Sequence, residues 1–64
     1  MTDLLPITID DQIACVEREL EMRPKVYLRL IAQRKMTAQR ADHEIACMEA
    51  VLKTLQRWKR AQRE

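Results

Sequence analysis

The sequence predicts an all-α fold, an antiparallel helical hairpin, and three observations support this class. First, a set of residues occurs twice, 32 positions apart: Asp10, Ile13, Ala14, Cys15, Glu17 and Leu20, then Asp42, Ile45, Ala46, Cys47, Glu49 and Leu52. Second, the isoleucine and leucine of each copy, seven apart, share one stripe of an α-helix. Third, the chain has no glycine or phenylalanine and has proline only at 6 and 24. This composition disfavours sheets, glycine-dependent turns and phosphate-binding loops.

Helix 1 is predicted over about residues 8–34, within a single domain of residues 1–64 that starts with a tail, residues 1–7. Thr8 can cap the helix, and Asp11, three residues later, can act as the acid of a capping box. The packed face follows a 4,3 spacing, with Ile9, Ile13, Val16, Leu20, Tyr27, Leu30 and Ile31.

Pro24 lies inside the predicted helix 1. Proline removes the bond to the carbonyl four residues earlier and crowds that turn, at a cost of about 3 kcal/mol in a straight helix. We expect a kink near Pro24, and a break into two shorter helices is the alternative.

Helix 2 is predicted over about residues 37–62, with Thr37 as its cap. Its packed face is Ala41, Ile45, Met48, Leu52 and Leu55. A connection of only two or three residues around Lys35 and Met36 makes the helices antiparallel.

The charge pattern agrees with this orientation. The acidic start of helix 1 (Asp10, Asp11, Glu17) lies beside the basic end of helix 2 in an antiparallel pair. At the other end, a basic group (Arg29, Arg34, Lys35) closes helix 1 where Asp42 and Glu44 open helix 2. Each charge then also suits the dipole of its own helix.

A second stripe exceeds the needs of a lone hairpin. It runs along helix 2 with a 4,3,4 spacing and comprises Cys47, Val51, Thr54 and Trp58. Helix 1 carries a weaker counterpart at Cys15, Met22 and Val26. Because a 64-residue two-helix unit buries little apolar surface, we expect a homodimer that forms a four-helix bundle. A groove for another protein is the compatible alternative.

A basic segment near the end of helix 2 (Arg57, Lys59, Arg60, Arg63), with Trp58 inside it, invites a nucleic-acid interpretation. An ordinary solvated face is the favoured interpretation, because these cations have acidic partners in the hairpin and the net charge is only +2. No helix-turn-helix or zinc motif accompanies them. Nucleic-acid binding is therefore disfavoured, and so is membrane binding, since acidic residues interrupt any cationic face.

The sequence contains few residues that could form a metal-binding or catalytic site. His43 and Cys47 are four apart, but a zinc site needs about four ligands, and Asp42 and Glu44 point elsewhere on the helix. We expect a solvent-facing histidine and a half-buried cysteine. No metal, no cofactor and no catalytic residue is predicted, because a nucleophilic cysteine needs a base and a concave pocket. The start of the chain lacks the features of a signal peptide and no apolar run approaches a membrane span, so a soluble cytoplasmic protein is expected.

Several segments resemble small uncharacterised proteins encoded by temperate phages and prophages of proteobacteria. They are residues 11–23, Val26 with Tyr27, residues 35–37 and residues 41–52. Such proteins tend to have proline just after the tyrosine and an aromatic nearby, where this chain has Leu28 and Leu30. The resemblance implies a phage accessory protein in a bacterial cytoplasm but no activity. We expect it to bind protein, perturbing a host or defence factor; a nucleic-acid-associated protein and an assembly subunit are the alternatives.

Overall fold

The computed structural model describes residues 6–62 and confirms a hairpin of two packed helices. Helix α1 spans Ile9–Ala32 and helix α2 spans Ala38–Gln62. Within residues 6–62 there is no strand. Most of the predicted tail, residues 1–5, and Arg63 of the basic segment lie outside the described residues.

The predicted capping box of α1 is confirmed. The backbone N–H of Asp11 donates to Thr8 Oγ1 at 3.0 Å, and the backbone N–H of Thr8 donates to Asp11 Oδ2 at 3.0 Å. Two backbone donors that the helix cannot satisfy itself thus gain partners. The helix therefore begins at Ile9, directly after its cap.

Helix α1 passes through Pro24 without a break, so the alternative of two shorter helices is wrong. Arg23 spans this turn with its side chain. Its Nε donates to Glu19 Oε1 at 2.6 Å and its Nη1 donates to the Tyr27 hydroxyl at 3.3 Å. Arg23, which lies between Leu20 and Tyr27 of the packed face, thereby links the turns on either side of the backbone hydrogen bond that Pro24 cannot make.

The connection between the helices is longer than the two or three residues expected, because α1 ends at Ala32 and α2 begins at Ala38. Lys35 N–H donates to the Leu30 carbonyl at 2.9 Å, and Arg34 N–H donates to the Ile31 carbonyl at 3.0 Å. These are the two bonds of a Schellman motif. Residues 33 and 34, which were predicted to be helical, belong to this motif instead, because α1 ends at Ala32. Arg34 has φ 60°, in the left-handed region that glycine usually occupies there.

The cap of α2 is confirmed, but the acidic residues that were expected to open this helix lie later. Thr37 Oγ1 accepts from the Arg40 N–H at 3.1 Å. The first turn of α2 contains no acidic residue. Glu44 pairs with Arg40 of its own helix at 2.9 Å. Asp42 and Glu44 therefore do not open α2 as predicted, and among residues 6–62 no ion pair joins the helices at this end.

The predicted faces pack on each other. Tyr27 of α1 and Ala41 of α2 are buried, each 6% exposed. The remaining residues of both faces are partly buried: Ile9, Ile13, Val16, Leu20, Leu30 and Ile31 on α1, and Ile45, Met48, Leu52 and Leu55 on α2. An ion pair of Lys59 Nζ with Asp10 Oδ1, 2.5 Å apart, joins the end of α2 to the start of α1. The antiparallel orientation and its charge pairing at this end are confirmed.

Candidate interaction surface

Two shallow grooves follow the contact between the helices, and they open on opposite sides of the hairpin. One groove lies between Ile9 and Gln12 of α1 and Thr54, Leu55 and Trp58 of α2. The other is lined by Asp10, Ile13, Ala14, Glu17, Gln56, Lys59 and Arg60. Residues two apart on a helix point about 160° from each other, so the Trp58 side of α2 faces away from the Arg60 side. The hairpin thus has a weakly polar side and a charged side.

The weakly polar side carries the second stripe. Around α2, residues 47, 51, 54 and 58 fall within about 60° of one another, and on α1 residues 22 and 26 lie within about 80° of Gln12. We call the set Met22, Val26, Cys47, Val51, Thr54 and Trp58 the apolar face. Its members from both helices therefore share one side of the hairpin.

The apolar face is uncovered in the single chain. Val51 is 48% exposed, Trp58 53% and Met22 55%. Cys47 and Thr54 are also exposed, whereas Val26 is partly buried. Five of the six members are thus exposed in the single chain. Exposed neighbours of this size on one side are typical of a surface that contacts another molecule.

His43 extends this stripe by one turn, which the sequence analysis missed. It lies four residues before Cys47, and its Nε2 is 3.5 Å from Cys47 Sγ. Both side chains are exposed, so the expectation of a half-buried Cys47 is wrong. The signal was in the spacing, because residue 43 continues the series 47, 51, 54 and 58 backwards along the same side.

The predicted basic segment is divided by the helix rather than gathered into a patch. Lys59 is partly buried and pairs with Asp10 across the hairpin. Arg57 and Arg60 are exposed. Residues 57 and 60 lie about 60° apart on α2, with Lys59 turned toward the other helix. The cluster that could meet a phosphate backbone is therefore smaller than the sequence suggests.

Two side chains outside the apolar face, Asp11 and Arg23, have pKa values shifted from their usual range. Hydrogen bonds from the backbone N–H and then the hydroxyl of Thr8 lower the pKa of Asp11. The hydrogen bond to Glu19, and then the contact with Tyr27, raise the pKa of Arg23. Both shifts stabilise the charged form, and both belong to helix-stabilising contacts rather than to a reactive group.

Among the described residues, no three histidine, cysteine or acidic side chains cluster as a metal site would require. Neither described helix combines the length and apolar character that crossing a membrane requires. Comparison with protein-family models, with curated proteins and with solved structures finds no significant match to this chain. Its surface is therefore the basis on which a function can be argued.

Proposed function

We propose that this chain is an interaction protein that uses its apolar face to bind protein, first of all a second copy of itself. The observation that carries the proposal is the exposure of Val51 and Trp58 on one side of a hairpin in which only Tyr27 and Ala41, of the described residues, are buried. Covering that face removes apolar surface from water, which is the main favourable term in association. Pairing two hairpins through it forms a four-helix bundle.

Two features of the apolar face suit association. Its six members are uncharged, and Arg40, which lies on the same side of α2 as Trp58, is paired with Glu44 of its own helix. Trp58 is an indole ring on a rigid helix, next to a groove lined by Ile9 and Leu55. Tryptophan is among the residues that most often dominate the energy of protein interfaces.

The biological setting in this proposal is a bacterial cytoplasm, where the chain acts as a phage or prophage accessory protein. The support is the resemblance of residues 11–23 and 41–52 to such proteins. In this setting the assembled bundle binds a host or defence protein and changes its activity by contact. The proposed action is binding, and no residue of the chain is assigned to catalysis.

The nucleic-acid interpretation has less support than the sequence alone suggested. Lys59, the central cation of the basic segment, is paired with Asp10. Phosphate-driven binding depends on several free cations that release counterions together. An apolar face has the opposite signature, because its affinity changes little with salt.

Sedimentation equilibrium tests the self-association step. We expect a dimer at micromolar concentration, with little change between low and high salt, and a melting temperature that rises with protein concentration. The matched pair of variants is Trp58→Ala, which should weaken the dimer, and Leu28→Ala, which removes an apolar side chain that is also exposed but lies outside the apolar face. A folded monomer, or equal loss in both variants, would contradict the proposal.

Binding to another protein is tested with the same pair of variants. Host proteins retained by the wild-type chain at high salt should be lost with Trp58→Ala and kept with Leu28→Ala. Retention that disappears as salt rises would favour the nucleic-acid interpretation.

A further inference from the structure

We propose that His43 and Cys47 of two copies together bind one zinc ion and thereby join the two hairpins. The proposal rests on the self-association described above, because the ion would lie in the contact between the α2 helices of two copies. It assigns a metal site of two histidines and two cysteines, to which each chain contributes one pair.

The distance within the pair is the first argument. Cys47 Sγ and His43 Nε2 are 3.5 Å apart. A tetrahedral zinc ion, with bonds of about 2.3 Å to sulfur and about 2.0 Å to nitrogen, holds two such ligands about 3.5 Å from each other. The helix has therefore already placed the two donors at the separation that the ion needs. Thiolate sulfur and imidazole nitrogen are also the donors that zinc prefers in structural sites.

The number of donors shows why a second copy is needed. Within the described residues no third ligand lies near this pair. Structural zinc takes four ligands, so a single chain offers half a site. A two-fold axis beside residues 43–47 supplies the other half from identical residues. Two thiolates then neutralise the charge of the ion, and both thiol protons pass to solvent on binding.

The position of the pair supplies the third argument. His43 and Cys47 begin the stripe that continues through Val51 and Trp58. When the two-fold axis runs parallel to α2, each residue of the stripe meets its own counterpart. The same axis then brings the four donors together near one end and the two indole rings together near the other. Metal binding and apolar contact thus support one arrangement of the dimer.

The repeat provides a matched control. Cys15 occupies the position in α1 that Cys47 occupies in α2, and both are exposed free thiols. The residue four positions before Cys15 is Asp11, whose carboxylate is held by Thr8 in the capping box. Cys15 therefore has no imidazole beside it and should not take part in the site.

The test measures association and metal content together, with the full chain kept reduced. Dissociation constants are measured by sedimentation with added zinc and with a chelator. We expect zinc to tighten the dimer by about tenfold or more, with one zinc bound per two chains. Cobalt used as a probe should give the intense visible absorption of a tetrahedral ion with thiolate ligands. Cys47→Ser and His43→Gln should each lose both responses, whereas Cys15→Ser should keep them.

The contradicting outcomes distinguish the zinc-site proposal from the self-association proposal on which it rests. A dimer of equal strength with zinc and with chelator would overturn the metal site and leave the apolar dimer standing. A monomer under both conditions would overturn both. One zinc bound per chain, or the same loss in Cys15→Ser as in Cys47→Ser, would also overturn the shared site. Because the substituted side chains are exposed, circular dichroism should show that all three variants remain folded.

Discussion

The two copies of the repeat, residues 10–20 and 42–52, share two positions that pack inside the hairpin and differ at several positions on its surface. Ile13 and its counterpart Ile45 are both partly buried in the contact between the helices, as are Leu20 and Leu52. These shared residues pack, as do Val16 and Met48, at which the copies differ, whereas the shared cysteines are exposed. A common core pattern is sufficient to make two helices that recognise each other.

The copies also differ on the outer side of the hairpin. Where α2 has the exposed Val51, α1 has Glu19, which is ion-paired with Arg23 of the same helix. Where α2 has His43 beside Cys47, α1 has Asp11 in a capping box. At these two positions α1 has polar side chains held by contacts within its own helix start or helix turn, whereas α2 has the exposed Val51 and a His43–Cys47 hydrogen bond. The proposed self-association therefore depends mainly on residues of α2 that have no counterpart of the same type in α1.

The largest expected effect tests the agreement between the copies. Leu20→Ala and Leu52→Ala remove equivalent side chains from the contact, and each should lower the free energy of unfolding by about 2–5 kcal/mol. Such a loss is a large part of the stability of a small domain. Urea denaturation followed by circular dichroism measures it.

Leu28→Ala is the control for these two variants, because Leu28 is 69% exposed. It should change the free energy of unfolding by no more than about 0.5 kcal/mol. If one leucine of the repeat pair behaved like Leu28, the two copies would not share the core equally.

The second effect tests the difference between the copies. Trp58→Ala should weaken self-association by about 2 kcal/mol, because tryptophan is among the side chains that most often anchor protein interfaces. Val26, at the equivalent position of α1, is smaller and partly buried within the hairpin. Val26→Ala should therefore weaken the dimer less. Sedimentation of both variants compares their dimer dissociation constants. An equal loss of affinity would show that α1 and α2 contribute equally to the dimer interface.

Much of the fold could be predicted because its signals are local. The two caps at Thr8 and Thr37 follow from a hydroxyl placed before an amphipathic run, and the packed faces follow from spacing. The connection could not be predicted in the same way. Its left-handed residue is Arg34, and the usual signal for that conformation is a glycine or asparagine, which this sequence does not have there.

The candidate surface was predicted less completely than the fold. The spacing of the second stripe identified Cys47, Val51, Thr54 and Trp58, and the structure shows all of them exposed. The separation of 3.5 Å between His43 and Cys47 depends on side-chain rotamers, which spacing alone does not fix. What covers this surface depends on a second molecule, about which one sequence carries no direct signal.

A smaller effect concerns the starts of the two helices. Thr8→Ala removes one side of a reciprocal capping box, whereas Thr37→Ala removes a single hydrogen bond to the Arg40 N–H. Each should lower the free energy of unfolding by about 1 kcal/mol, with the larger loss for Thr8. Thermal denaturation compares them. An equal or larger loss for Thr37→Ala would show that the Thr8 hydroxyl stabilises its helix start no more than the Thr37 hydroxyl does.

The smallest effect concerns the acid response of the same capping box. Because hydrogen bonds from Thr8 lower the pKa of Asp11 in the folded state, its contribution is present above the pKa of the unfolded chain. That contribution is lost as the pH falls through the lower, folded pKa. Asp11→Asn should therefore be less stable than wild type at neutral pH, and the difference should shrink in acid. Among the described contacts Asp42 makes no side-chain hydrogen bond or ion pair, so Asp42→Asn should follow the wild-type profile. Urea midpoints measured from neutral pH down to about pH 2 decide the point, and a gap between Asp11→Asn and wild type that stayed constant with pH would show that the carboxylate charge does not hold the helix start.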